Sequence, residues 1–102
     1  KINNKAIQIS VTPSAKGQVK VSWADPGNAD LKADRYTIRR YEDGKRASTE
    51  KSMASYPSTS SSYTNKNLTS GTKYFYYVIG YRWSGTAYEE ISRSAEIPVV
   101  VQ

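Results

Sequence analysis

Hydrophobic and polar residues alternate along most of this chain. In residues 6–12 (Ala-Ile-Gln-Ile-Ser-Val-Thr), Ile7, Ile9 and Val11 share one face. In residues 18–24, Val19, Val21 and Trp23 do the same. A period of two marks a strand with one buried side. In residues 35–42, Tyr36 and Ile38 are predicted to face inward, and Arg35, Thr37, Arg39 and Tyr41 outward. Asp43-Gly44 follows as a hairpin signal. The polar stretch 45–62 predicts a short edge strand near 46–55 and a loop near Pro57. A short strand is expected at 61–65, and the strongest in the chain at 73–82, Lys-Tyr-Phe-Tyr-Tyr-Val-Ile-Gly-Tyr-Arg. Ser84-Gly85 turns the chain, and 87–101 returns as one strand, with Ile91, Ala95, Ile97, Val99 and Val101 in one parity. Pro98 places that strand at an edge, because proline cannot donate to a ladder.

About seven short strands, with turns roughly every 8–12 residues, predict an antiparallel β-sandwich. Composition agrees. The 102 residues include nine Tyr, two Trp and one Phe, which suit a pleated, half-buried surface. Leu31 and Leu68 are the only leucines. The length is one domain's worth, so residues 1–102 read as a single unit, expected to be a piece of a larger protein and a monomer. No apolar run is long enough for membrane insertion.

The chain resembles the fibronectin type III family. Trp23, Tyr36-Thr37-Ile38 and the string from Tyr63 through Asn65, Leu68, Gly71, Thr72, Tyr74 and Tyr76 to Val78 carry the likeness. It is most similar to the version common in bacterial, often clostridial, surface and secreted proteins. There the string usually has Asp where Asn65 stands and Gly where Asn67 stands. Asn also tolerates a left-handed turn, so the fold survives the change. The resemblance implies an immunoglobulin-like, seven-stranded antiparallel sandwich, with strands A, B and E on one sheet and C, C′, F and G on the other. It further implies Leu68 as a core plug, Trp23 between the sheets, and Tyr74 as a tyrosine corner with its hydroxyl on upstream backbone.

Chemistry is sparse. There is no Cys and no His, which removes thiol nucleophiles, histidine proton shuttles and the usual zinc ligand sets. Glu89 and Glu90 are adjacent on a strand and point to opposite faces, so they form no acid–base pair. We therefore expect no catalytic residue, no cofactor and no metal. Asp25, Asn28, Asp30 and Asp34 share a loop but lack EF-hand spacing, so they read as solvated turn residues rather than a calcium site. Asn67-Leu68-Thr69 matches a glycosylation sequon, a match short enough to arise by chance.

Two surfaces stand out. The outward parity of 73–82 places Phe75, Tyr77, Ile79 and Tyr81 opposite Arg35, Thr37, Arg39 and Tyr41. Such a stripe is either a protein interface, with Phe75, Tyr77, Ile79, Arg39 and Tyr41 as its contacts, or a layer covered by arginine stems. At the next hairpin, Trp83 with Tyr81, Tyr88 and Arg82 is either a ligand-binding platform or a ring folded back on the sheet edge. The net charge of +6 is dispersed, which argues against nucleic acid and fits weak contact with anionic cell-wall polymers such as teichoic acids. The expected function is a non-catalytic spacer or adhesion module of a multidomain bacterial cell-surface or secreted protein, located outside the cell. Its partners are neighbouring domains of the same chain and another surface protein or a glycan. The alternative is a carbohydrate-binding accessory module of a secreted glycoside or cell-wall hydrolase.

Overall fold

A computed structural model describes residues 6–27 and 32–102. Eight strands and one helical turn follow the chain: β1 (Gln8–Ala15), β2 (Gln18–Ala24), β3 (Arg35–Glu42), α1 (Arg46–Thr49), β4 (Lys51–Pro57), β5 (Ser62–Asn65), β6 (Lys73–Trp83), β7 (Tyr88–Arg93) and β8 (Ile97–Val100). They form two sheets. One has the order β1-β2-β5; the other runs β4-β3-β6-β7, with β8 continuing the β7 edge along the first half of β6. The expected all-β sandwich and its division into sheets are present. The described residues hold no helix long and apolar enough to cross a membrane.

The core follows from the alternation. Val19, Val21 and Trp23 of β2 face Tyr36 and Ile38 of β3 and Tyr76 and Val78 of β6, all buried. Each such side chain contributes about 1.5–3 kcal/mol by leaving water. Trp23 lies near-parallel to Tyr56 and tilted against Tyr36, with ring centroids 6.4 and 5.8 Å away. Leu68 packs on the core margin as a partial plug. Its backbone N–H donates to Gly17 O, and Gly17 has φ +72°, a conformation that disfavours a side chain.

Two polar links tie the layers. The Tyr76 hydroxyl donates to Asn65 Oδ1 at 2.7 Å, and Arg40 Nη1 donates to the same oxygen at 2.9 Å. Burial pushes the Tyr76 hydroxyl pKa up to about 12. At the other end, Asp25 accepts Gly27 N–H, Ala33 N–H and the Tyr36 hydroxyl. That carboxylate is occupied with bracing its own loop. Asn28 and Asp30 of the calcium reading lie outside the described residues.

Three local expectations change. The stretch expected as an edge strand from residue 46 begins with α1, one helical turn in which Arg46 and Glu50 pair across four positions at 3.0 Å. The return strand is broken in two. A bulge beside Gly80 turns both Ile91 and Ser92 inward, and Ser94 Oγ, not a backbone carbonyl, accepts the Val78 N–H. Parity is lost there, so Ala95 is exposed while Val99 and Val101 stay buried. Tyr74 is half-buried beneath the Arg40 guanidinium, 4.3 Å from its ring centroid. Among the described residues, no hydrogen bond runs from its hydroxyl to upstream backbone.

Candidate functional site

The outer face of the larger sheet is built by β3 and β6, whose register sets Arg35 opposite Tyr81, Thr37 opposite Ile79, Arg39 opposite Tyr77 and Tyr41 opposite Phe75. The expected stripe therefore exists, and Phe75, Tyr77, Ile79, Arg39 and Tyr41 come together on it. Outward-pointing is not the same as accessible, however. Tyr77 is 3% exposed and Ile79 4%. With Tyr41 they form a second small apolar cluster, flanked by half-buried Phe75 and Tyr81. Tyr41 and Phe75 stack at 5.1 Å with their planes 9° apart.

Charged side chains close this layer. Tyr77 donates its hydroxyl proton to Glu50 at 2.6 Å and accepts from Arg39 Nε at 3.0 Å. Arg39 also reaches Ser52 Oγ at 2.7 Å. Arg46 bridges Glu50 and Glu96, each at 3.0 Å, and lies 4.5 Å from the Tyr41 ring centroid. Tyr41 donates to Glu96. Arg93 grips Glu90 with two bonds, 2.8 and 2.9 Å, and sits 5.7 Å from the Tyr77 ring. Arginine stems and guanidinium planes cover apolar rings well while keeping their charge wet.

The electrostatics follow this arrangement. The Tyr77 hydroxyl, then Arg46, hold the Glu50 carboxyl below its ordinary range. Tyr41 and Arg46 do the same for Glu96, and Arg93 for Glu90. Burial, reinforced by Glu50, raises the Tyr77 hydroxyl. Sequence reading missed Arg46, Glu50, Glu96 and the Glu90–Arg93 pair as the lid. The signals were the four-residue spacing of Arg46 and Glu50 and the three-residue spacing of Glu90 and Arg93.

The hairpin joining β6 and β7 is different. Trp83 and Tyr88 pair across it, each 51% exposed, edge to face at 5.1 Å. Trp83 has not folded back over the sheet edge. The tip is stiff: Ser84 N–H and Oγ both donate to Ala87 O, and Gly85 takes φ +103°. Its base is fixed by Trp83 N–H to Asp34 Oδ2 at 2.8 Å. Of the four residues expected here, Trp83 and Tyr88 present their rings. Tyr81 is half-buried in the sheet layer, and Arg82 turns aside to donate to Lys32 O at 2.6 Å.

No acid–base pair arises at this hairpin. Glu90 stands opposite Tyr81, bound to Arg93, while Glu89 stands opposite Arg82. The described residues contain no group of three or more acidic side chains placed to hold a metal ion.

The profile of the Fibronectin type III domain matches residues 5–96. The chain belongs to the fibronectin type III family. Members of this family are generally non-catalytic modules of multidomain proteins, and they commonly occur in extracellular proteins. Among solved structures, the domain is similar to the FN1-FN3 domains of chicken CNTN1, with a TM-score of 0.76 and 17% identity. That match covers 98% of this chain and 33% of the other, so the domain spans about a third of that fragment. It is similar to an FN3 domain of human collagen XX, with a TM-score of 0.72, 16% identity, and coverage of 99% and 95%. It is also similar to part of the pectate lyase PelI from Erwinia chrysanthemi, solved in complex with tetragalacturonic acid (TM-score 0.71, 13% identity, coverage 93% and 28%). At these identities the likeness is one of fold. No curated protein matches the chain.

Proposed function

We propose that this fibronectin type III domain is a non-catalytic spacer and adhesion module of a multidomain bacterial cell-surface or secreted protein, working outside the cell. Its contacts are made at the hairpin end of the larger sheet. The observation that carries this reading is the contrast on one sheet face: Tyr77 and Ile79 are closed under charged side chains, while Trp83 and Tyr88 stand half in water on a stiff hairpin. Trp, Tyr and Arg dominate the energetics of protein contacts, and stiff rings lose little entropy on docking. The 41 Å long axis suits a spacer. The bacterial placement rests on the resemblance of the Tyr63–Val78 string.

A second reading is favoured by Trp83 itself. An indole half in water can stack on the apolar C–H face of a sugar ring, as in a carbohydrate-binding accessory module. The test is retention of the purified domain on insoluble cell-wall polysaccharide and on a glycan array, with Trp83→Ala alongside. Retention lost in Trp83→Ala supports the carbohydrate reading, and retention unchanged in Trp83→Ala removes Trp83 as its stacking ring. No retention by either protein removes the carbohydrate reading.

A further inference from the structure

A cation stands beside the exposed rings. Arg35 lies opposite Tyr81 in the β3–β6 register, and Trp83 follows two residues along β6. Residues two apart on a strand share a face, so Tyr81 and Trp83 line the outer surface together with Arg35. Diagonal neighbours in such a ladder lie about 7–8 Å apart, a span that one sugar ring with its carboxylate can bridge. Arg35 is held but not neutralised: its Nε donates to Ser55 Oγ at 2.9 Å and its Nη2 to Ser55 O at 3.3 Å. Among the described residues no carboxylate pairs with it, whereas Arg46 and Arg93 on the same face are both paired with glutamate. The acids near the hairpin are engaged: Glu90 is bound twice by Arg93, and Asp34 accepts the Trp83 N–H. We infer that the Trp83–Tyr88 pair takes an acidic sugar, with the indole stacked on the ring and Arg35 holding the carboxylate.

Charge and area favour this occupant. A uronate joins an apolar C–H face to one carboxylate, which matches a half-exposed indole with an uncompensated guanidinium at its side. The planar guanidinium takes a carboxylate through paired N–H donors. Ser55 uses only part of that donor set and fixes the direction of the rest. A neutral sugar leaves the guanidinium with water and gains only the stacking. Two half-exposed rings offer at most roughly 150–250 Å² each, far short of the ~1,200–2,000 Å² that a protein partner buries. Larger contact is not on offer nearby, because the adjoining Tyr77 face is closed.

The inference rests on the carbohydrate reading, and the test separates the two. Titration calorimetry compares a tetraglucuronate with the same oligosaccharide methyl-esterified at every carboxyl, which keeps the rings and removes the charge. The domain should bind the acid roughly tenfold or more tighter than the ester. Trp83→Ala should lose both ligands. Arg35→Gln should bind acid and ester alike, with its melting temperature nearly unchanged. Lys16→Gln, which removes an exposed charge in the turn between β1 and β2, should behave as the parent. Equal affinity of the parent for acid and ester overturns the inference and leaves the carbohydrate reading standing. A loss in Lys16→Gln as large as that in Arg35→Gln also overturns it, since the attraction is then diffuse charge. Binding of neither ligand, with other glycans retained on the array, overturns the inference alone; retention of no glycan overturns both.

Discussion

Replacing Tyr77 with alanine tests whether the outer sheet face is interior or surface. The ring is 3% exposed and packs with Tyr41 and Ile79. Truncating a buried aromatic to alanine costs about 3–5 kcal/mol. The hydroxyl adds little, because Arg39 and Glu50 regain water when it leaves, so Tyr77→Phe should cost only about 0.5–1.5 kcal/mol. A loss near 3–4 kcal/mol is a large share of the ~5–15 kcal/mol that holds a domain together. At ~4–8 °C per kcal/mol it lowers the melting temperature by roughly 12–30 °C. Trp83→Ala serves as the reference, since its ring is 51% exposed and its loss should stay near about 1 kcal/mol. Urea titration followed by circular dichroism measures both, with the slope checked for constancy. If Tyr77→Ala costs no more than Trp83→Ala, the lid of Arg39, Arg46 and Arg93 does not seal the face and the assignment of surfaces fails.

Asn65→Asp should raise stability by about 1 kcal/mol at neutral pH in urea titration, because Arg40 and Tyr76 would then donate to a charged acceptor; a loss of stability would show that burying the charge outweighs the bonds. In acid, the carboxyls of Glu50, Glu90 and Glu96 sit below their unfolded value of 4.5, so their stabilisation is complete above that pH and disappears as pH falls through the lower folded values. Melting temperature measured against pH should therefore drop below about pH 4.5, less steeply in Glu96→Gln, and an unchanged slope in that variant would contradict the lid. In alkali the sign reverses: Tyr36 and Tyr76 have raised values, so their stabilisation is full below pH 10.0 and fades above it, and tyrosinate absorbance from these two should appear only with unfolding. Tyr36→Phe and Tyr76→Phe should each remove part of that alkaline loss.

The sheets were legible because period-two alternation is written by the core itself: Val19, Val21 and Trp23, or Tyr36 and Ile38, have no other way to be buried together. The facing rows of β3 and β6 were legible for the same reason. What alternation does not carry is the fate of an outward residue. Tyr77 obeys its parity and is buried all the same, because Arg39, Arg46 and Arg93 arrive from elements far apart in sequence. The break near Ser94 was hidden because a side-chain hydroxyl takes a place that the pattern assigns to backbone. α1 was hidden because a single helical turn has too few residues to show a period. Trp83 could be read from its position, since a ring beside a Ser-Gly turn has no core to enter.

Hydroxyl-radical footprinting read by mass spectrometry compares the two surfaces in one experiment. Trp83 and Tyr88 should oxidise rapidly, and Tyr77 should be protected to the level of Tyr36 and Tyr76, which are 2% and 0% exposed. Oxidation of Tyr77 as fast as that of Tyr88 would contradict the closed outer face.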